Sequence, residues 1–242
     1  MSRTPAIPEI PKISAIIAAA GGSSRMNLDE GGSKQFLEIG GKPVICRTLE
    51  IFSASEYVSE IIISARGCDI GRLEELVFGM AGTGTETFDV FNKVKSITEG
   101  GGTRFESVAK AVRRASQSAE YIAVHDGARC FVTLGDIEKV ALCAFNTGAA
   151  AAGCRVYDTV KRVDGENNIT ETLERGNLRA VQTPQIFRKD WYMQALGGAD
   201  VNAPDDCYIL ESAGYTVSVV ECSRYNLKIT DEQDLEFLRR IT

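Results

Sequence analysis

The chain has 242 residues, a formal net charge of −6 and a pI of about 5.1. This length can bury one substantial core, and an acidic balance without a run of Lys and Arg argues against a nucleic-acid surface. No apolar stretch is long enough to span a membrane, and the N-terminal segment lacks a signal-peptide core. The 7 cysteines show no metal-ligand spacing. We therefore expect a single domain over residues 1–242, cytoplasmic, with reduced thiols and with no nucleic-acid or membrane partner.

The first predicted strand ends in a glycine turn. Residues 16–18 form an apolar run typical of a buried parallel strand, and the sequence GGSSR follows at residues 21–25. Glycine leaves backbone N–H groups uncovered, so such a turn can wrap a phosphate chain. Arg25 ends the turn and Lys34 lies one short loop later. This pattern predicts a site for a polyanion such as a nucleoside triphosphate. The alternative is a plain glycine turn beside two solvated cations.

A second glycine turn follows after several predicted elements. These elements are a helix at residues 42–53, a strand at 60–64, a helix at 69–78, a loop at 81–91 and a strand at 94–98. The glycines at 100–102 then precede the sequence TRFE at 103–106, a capping-box pattern that predicts a helix to about residue 116. Backbone can therefore approach a ligand a second time, unless these glycines only make room for the helix to pack.

The next predicted strand brings polar residues to its end. Residues 121–124 are apolar, and His125, Asp126 and Arg129 follow at the carboxyl end, where ligands bind in open α/β sheets. His125 is the only histidine, which excludes metal ligation by two histidines. We interpret it as a structural hydrogen-bonding residue. Asp126 and Arg129 are the better candidates for a functional role.

The C-terminal half contains a polar hairpin. The sequence at residues 158–173 alternates about an Asp-Gly turn and predicts a β-hairpin whose faces are too polar to form their own core. We expect either the same domain or a second chain to cover this arm, at about residues 157–176. The remaining predicted elements are helices at 136–145, 189–196, 205–212 and 231–240, the last opened by a capping box at 230–233, and strands at 149–156, 182–187 and 215–220. The whole pattern predicts an α/β fold with a mostly parallel, Rossmann-like sheet, helices on both faces and a protruding β-hairpin arm.

The motifs, taken in order, resemble those of a known family. The sequence AAGGSSRM at residues 19–26, with SKQ at 33–35, is similar to the signature of the sugar-phosphate nucleotidyltransferases. Within that superfamily the chain resembles the methylerythritol-phosphate cytidylyltransferases of non-mevalonate isoprenoid synthesis. The further matching motifs are GGGTR with SV at 100–108, VHDGAR at 124–129, DTVKR at 158–162, TLER at 172–175, QTPQ at 182–185 and NLKIT at 226–230. They cover nearly the whole chain.

The resemblance implies CTP and a sugar-alcohol phosphate as substrates, Mg²⁺ as divalent cation, and a homodimer formed through the arm. Arg25 and Lys34 are the expected catalytic residues. The residues expected to bind the nucleotide are Ala19, Ala20, Gly21, Gly22, Ser23, Gly101, Gly102, Ser107, Gly127 and Arg129. Those expected to bind the sugar phosphate are Asp126, Thr159, Arg175 and Lys228. Phosphate oxygens would hold most of the metal's coordination, with Asp126 as the one protein ligand to consider.

Three positions depart from the family pattern and keep alternatives open. Gly102 stands where the family usually has Asp, Ser33 where it has Pro, and Pro204 where it has Thr. These departures allow a catalytically silent or weak CTP-binding homologue, and a ribitol-5-phosphate cytidylyltransferase is the nearest alternative enzyme. A dinucleotide-dependent dehydrogenase is rejected, because the first turn lacks G-x-G-x-x-G and Ser64, not an acidic residue, ends the second strand.

Overall fold

The computed structural model of the chain describes residues 10–22, 26, 32–79 and 90–241. Ser23, Arg25 and most of the predicted loop at 81–91 lie outside these ranges. The strands are β1 (Ile13–Ala19), β2 (Glu38–Ile39), β3 (Lys42–Pro43), β4 (Val58–Ala65), β5 (Val94–Glu99), β6 (Tyr121–Asp126), β7 (Ala149–Arg155), β8 (Lys161–Val163), β9 (Ile169–Thr172), β10 (Arg179–Arg188) and β11 (Ser218–Glu221). The α-helices are α1 (Val44–Ala54), α2 (Ile70–Phe78), α3 (Arg104–Val112), α4 (Leu134–Thr147), α5 (Lys189–Leu196), α6 (Asp206–Ser212) and α7 (Glu232–Arg240).

Seven of the strands form one central sheet. Their order is β11-β7-β10-β6-β1-β4-β5. β10 is antiparallel to both of its neighbours, and the other paired strands run parallel. The sheet is therefore mostly parallel, as the alternation of strands and helices predicted. β1, β5 and β6 end at the same carboxyl edge, which brings the residues that follow them together.

Helices cover both faces of the sheet, which also confirms the predicted fold class. Alternate residues of β1 serve the two faces, because successive side chains of a strand point to opposite sides. Ile17 packs in the cluster that holds Leu49 of α1 and Ile137 of α4, whereas Ile16 packs with Val108 of α3 on the other face. A third cluster joins α7 to Met26, Ile39 and Ile229 beside the carboxyl edge.

Several predicted boundaries were wrong for local reasons. Helix α3 ends at Val112, not near residue 116, because the Ser116 N–H donates to the Glu60 carboxylate of β4 at 2.6 Å and the chain turns into β6. The capping box before α7 is formed by Asp231 and Asp234, not by residues 230 and 233. Helix α4 begins at Leu134, since Thr133 is its N-cap. The last strand begins at Ser218 rather than at residue 215.

The predicted hairpin is present and exposed. β8 and β9 pair antiparallel as a separate two-stranded sheet, and every residue of both strands is exposed. The apolar side chains of the arm include Tyr157 and Ile169, which are 61% and 64% exposed. The other described residues of the chain therefore leave both faces of the hairpin uncovered.

Candidate active site

The glycine turns after β1 and β5 lie side by side at the carboxyl edge. A Cβ added at Gly100 would stand 2.6 Å from the Ala20 Cβ atom and 2.7 Å from the Ser107 Oγ atom, so close packing of the two turns requires glycine there. At Gly21 and Gly22 an added Cβ would have no heavy atom within 4 Å. The first turn therefore faces open space, which suits the close approach of a ligand to its backbone.

The second turn is held by side chains of α3. The Gly101 N–H donates to Ser107 Oγ at 2.9 Å, and the Gly102 N–H donates to Glu106 Oε2 at 2.6 Å. Glu106 thus binds Gly102 rather than completing the predicted capping box with Thr103, although the Thr103 hydroxyl does accept from the Glu106 N–H. These two N–H groups are already occupied, so this turn offers a shaped wall and not an anion-binding nest.

A cavity of about 350 Å³ lies between the two turns. Of the predicted site residues, it is lined by Ala20, Gly21, Gly22, Lys34, Gly101, Gly102, Ser107, Asp126 and Lys228. Ala19 and Gly127 do not line it. The Gly127 N–H donates to the Ala18 carbonyl at 3.0 Å, and an added Cβ would stand 2.9 Å from Gln35 Oε1, so this glycine serves packing behind the cavity.

Lys34 is almost buried at the rim of this cavity. It lies in a short 3-10 helix, Lys34–Phe36, whose N-cap is Ser33, and the Ser33 hydroxyl accepts from the Gln35 N–H at 3.4 Å. The ammonium group donates to the Ile229 carbonyl at 2.8 Å, and the residue is 9% exposed. Ser33 therefore fixes the turn that presents Lys34, which gives this departure from the family pattern a local role. Arg25 lies outside the described residues.

Asp126 is the centre of a cationic cluster. Its Oδ2 atom lies 2.9 Å from Lys228 Nζ and 3.4 Å from Arg129 Nε, and its Oδ1 atom lies 3.7 Å from Arg104 Nε. Burial alone raises the pKa of Asp126, but Lys228, Arg104 and Arg129 outweigh it and hold the pKa well below its usual value. Asp126 thus faces three cations, one of which, Arg104, is also paired with Asp206 at 2.7 Å.

A second cavity, of about 470 Å³, adjoins the first. Arg104, Asp126 and Lys228 line both cavities and form their common wall. Arg129, one of the predicted nucleotide ligands, lines the second cavity and donates to the Asn226 carbonyl at 2.8 Å. Pro204, where the family usually has Thr, lines the same cavity and has no hydroxyl to offer. The structure thus has two adjoining cavities that share a wall, and the second is lined by three cations and by the carboxylates of Asp126, Asp205 and Glu211.

His125 is buried and fully bonded. Its Nε2 atom lies 3.2 Å from the Arg129 carbonyl oxygen, and its Nδ1 atom lies 3.1 Å from Thr183 Oγ1, which itself accepts from the Asp126 N–H. This arrangement selects the neutral tautomer with the proton on Nε2. Burial lowers the pKa of His125 to about 4. The imidazole therefore orients the strand end, in agreement with the predicted structural role, and has no free nitrogen for a general base.

Thr159 and Arg175 lie away from both cavities. Both are exposed on the arm, and the Arg175 guanidinium donates to the Tyr157 carbonyl at 2.5 Å. The structure therefore does not bring these two predicted substrate ligands to the Asp126 cluster.

Some residues at the cavities were missing from the sequence prediction. Gln35, Thr103, Arg104, Ala128 and Thr230 line the first cavity. Each lies inside or next to a recognised motif. That position in the sequence is the one feature from which these residues could have been predicted. The role of Arg104 depends on Asp206 of α6, at 2.7 Å, and no local pattern shows that pairing.

The residues present fit a magnesium ion held mainly by its substrates. Among the described residues no group of three or more His, Cys, Asp or Glu could hold a metal. Of the described residues that line the first cavity, Asp126 is the only one with a carboxylate. Mg²⁺ commonly binds one or two carboxylates and completes its shell with phosphate oxygens and water.

An open glycine turn, a buried lysine and a wall shared by two cavities, at the carboxyl edge of a Rossmann-like sheet, are compatible with a nucleotidyltransferase. The model of one family, described as IspD: 2-C-methyl-D-erythritol 4-phosphate cytidylyltransferase, matches residues 13–241. The chain belongs to this family and is an enzyme of the cytidylyltransferase class.

Similar proteins agree with this assignment. The chain is 40% identical over 235 residues to a 2-C-methyl-D-erythritol 4-phosphate cytidylyltransferase of Pelodictyon phaeoclathratiforme, covering 91% of this chain and 93% of that one. The solved structure of the Thermus thermophilus enzyme of the same name is 29% identical, with a TM-score of 0.72 and coverage of 95% and 98%. A 4-diphosphocytidyl-2C-methyl-D-erythritol synthase of Anaerococcus prevotii shares the fold, with a TM-score of 0.80 at 24% identity and coverage of 96% and 99%. The ribitol-phosphate alternative is not favoured.

Proposed function

We propose that the chain joins CTP and 2-C-methyl-D-erythritol 4-phosphate in the two adjoining cavities, with release of pyrophosphate, in non-mevalonate isoprenoid precursor synthesis. The observation that supports this assignment is the common wall of Arg104, Asp126 and Lys228. CTP occupies the cavity between the glycine turns, and the sugar phosphate occupies the cavity beside Arg129. Cations in a shared wall act on both anions and reduce their repulsion.

The reaction needs no general base from the protein. A phosphate monoester has a second pKa of about 6 and is mostly dianionic near neutral pH. One of its oxygens attacks the α-phosphorus of CTP, a new P–O bond forms, and the bond to the β-phosphate oxygen breaks to release pyrophosphate. This agrees with a neutral His125 whose two ring nitrogens are both bonded.

Positioned charge does most of the catalytic work in such transfers. Lys34, tied to the Ile229 carbonyl, stabilises charge on the α-phosphate and the leaving pyrophosphate, and Arg25 acts beside it. Lys228 and Arg129 hold the sugar phosphate, and the Asp126 carboxylate accepts a hydrogen bond from a hydroxyl of the sugar alcohol. Asp126 is the protein carboxylate that would hold Mg²⁺ together with the triphosphate oxygens, and the ion would supply positive charge against those oxygens.

The arm completes the site of a second subunit. A lone hairpin is marginal in water, and this one exposes Tyr157 and Ile169, so we expect another copy of the chain to cover it. Thr159 and Arg175 then reach the sugar phosphate of the partner subunit. No helix in the described part of the chain is long and apolar enough to cross a bilayer. We assign the enzyme to the cytoplasm.

Pyrophosphate release tests the substrate assignment. The wild-type chain is incubated with Mg²⁺, each of the four nucleoside triphosphates, and either 2-C-methyl-D-erythritol 4-phosphate or ribitol 5-phosphate. We expect turnover with CTP and the methylerythritol compound and a loss of turnover on chelation with EDTA. Equal turnover with ribitol 5-phosphate, or CTP binding by calorimetry without turnover, would contradict the assignment.

A further inference from the structure

Asp206 is a buried carboxylate with no assigned role in the reaction. It lies in the first turn of α6 and is 0% exposed. Its Oδ2 atom lies 2.7 Å from Arg104 Nη1, and its Oδ1 atom accepts from the Tyr192 hydroxyl. Its own N–H donates to Gln185 Oε1 at 3.1 Å. Side chains from α3 and α5 thus contact this carboxylate, and a side chain from β10 holds its backbone.

Arg104 is held toward Asp206 and away from Asp126. Its guanidinium lies 2.7 Å from the Asp206 carboxylate and 3.7 Å from Asp126 Oδ1. Lys228 and Arg129 both approach the other oxygen, Oδ2, of Asp126. At 3.7 Å the Arg104 guanidinium is too far from Oδ1 for a hydrogen bond, and Asp126 lines both cavities.

We propose that Asp206, fixed by Tyr192, is a positioning residue that holds Arg104 in the wall between the two cavities and thereby keeps Asp126 Oδ1 open to a hydroxyl of the sugar-alcohol phosphate. This inference rests on the proposed function and adds a residue that touches neither substrate. Asp206 holds Arg104 in place. Arg104, held there, leaves the Oδ1 atom of Asp126 available to the substrate hydroxyl.

Electrostatics gives the reason for this role. Burial lowers the pKa of Arg104, but Asp206 and then Asp126 outweigh it and raise the net pKa, so the guanidinium stays charged. Without the Asp206 carboxylate, Asp126 is the carboxylate that remains beside this charge. A guanidinium readily forms two parallel hydrogen bonds to a carboxylate, so Arg104 would close onto Asp126 and occupy Oδ1. Tyr192 remains a hydrogen-bond donor, since burial and Asp206 raise its pKa well above the usual value.

Steady-state kinetics of the full chain with Asp206→Asn tests this role. The lost hydroxyl contact should raise the KM for 2-C-methyl-D-erythritol 4-phosphate about tenfold. The KM for CTP should stay within about twofold, because Arg104 keeps its charge in the common wall and only the sugar hydroxyl loses its hydrogen bond to Asp126. Tyr192→Phe keeps the carboxylate but releases one of its bonds, and it should shift the same KM in the same direction by a smaller factor.

A double variant separates positioning from general stability. If Asp206 acts through Arg104, then Arg104→Gln with Asp206→Asn should match Arg104→Gln alone within about twofold. Asp136→Asn is the matched control, because Asp136 is also a buried carboxylate at a helix N-terminus but caps α4 and touches none of these cations. We expect it to lower the melting temperature and to leave both KM values unchanged.

Three results would overturn the inference. The first is an unchanged sugar-phosphate KM in a folded Asp206→Asn protein. The second is an equal rise in the KM values for both substrates. The third is a sugar-phosphate KM in the double variant that rises by the product of the two single-variant factors. If Asp206→Asn does not fold, an unchanged sugar-phosphate KM in Tyr192→Phe overturns it. Wild-type turnover is measured in the same series, so failure of the substrate assignment would be seen there first and separately.

Discussion

The ammonium group of Lys34 donates a 2.8 Å hydrogen bond to the carbonyl oxygen of Ile229, 195 residues later in the chain. This contact joins the loop after β1 to the segment that also carries Lys228. Lys34 is thus set in place at the cavity before any substrate binds. A charge that is already oriented stabilises a transition state without further reorganisation.

Lys34→Ala should lower kcat at least about a hundredfold, the scale of losing one placed electrostatic stabiliser. The change is measured as pyrophosphate release at saturating substrates, with circular dichroism to check the fold. Lys93→Ala is the matched control, because Lys93 also donates to a backbone carbonyl, that of Ser55 at 2.6 Å, but directly precedes β5 at the opposite edge of the sheet. A wild-type rate in Lys34→Ala would remove this residue from the mechanism.

His125 should make stability depend on pH between about 4 and 6.5. Its pKa is about 4 in the folded chain and 6.5 in the unfolded one, so the unfolded chain binds the proton first as pH falls. Stability is then fully present above pH 6.5 and declines toward pH 4, by about 3 kcal/mol in free energy of unfolding. Asp126, whose pKa is also lowered by folding, contributes in the same direction, but only as pH falls below its ordinary pKa of 3.8.

Two measurements check the role of His125. Urea unfolding at about pH 4.5 to 7 should show the decline in the wild type and a flatter profile in His125→Gln. Because the chain has a single histidine, its imidazole signal in NMR can be followed without ambiguity. Titration of the folded protein near the ordinary histidine pKa of about 6.5 would show that the ring is not held as described.

Much of the fold was predictable because buried strands and helices leave local patterns. The apolar run of β1 and the Asp-Gly turn between β8 and β9 are such patterns, and both elements were correctly identified. The end of α3 was missed because Glu60, on a distant strand, captures the Ser116 N–H. Long-range contacts of this kind are not visible in a window of neighbouring residues.

Only the site residues that stand in recognised motifs were predictable from the sequence. Gly21, Lys34 and Asp126 stand in recognised motifs, and the structure brings them to one cavity. Arg104 also stands in such a motif, yet its position depends on Asp206, which carries no signature of its own. Arg175 was identified from its motif, but its proposed contact involves a second subunit, which one sequence cannot place.

The two glycine turns should respond differently to an added methyl group. Gly100→Ala should lower the free energy of unfolding by about 1–3 kcal/mol, because the methyl would overlap the Ala20 Cβ and Ser107 Oγ atoms. Gly21→Ala should leave the melting temperature unchanged and raise the KM for CTP, because its methyl would enter open space at the cavity. Gly71→Ala in α2 has similar space and no ligand nearby, so it should change neither KM value and should keep or slightly raise stability. A normal KM for CTP in Gly21→Ala would separate this turn from nucleotide binding.

Mixing two inactive variants tests whether the arm serves the partner subunit. Lys34→Ala removes a residue of the cavity, and Arg175→Ala removes a residue of the arm. If each site combines one chain's cavity with the other chain's arm, a mixed dimer contains one intact site, and random mixing should restore about a quarter of the wild-type activity. The variants are unfolded together, refolded and assayed for pyrophosphate release, with each variant alone as the control. Ultracentrifugation should show dimers throughout, whereas Ile169→Glu on the exposed arm should yield monomers. No recovery in the mixture of folded dimers would place Arg175 in the site of its own subunit or outside the site altogether.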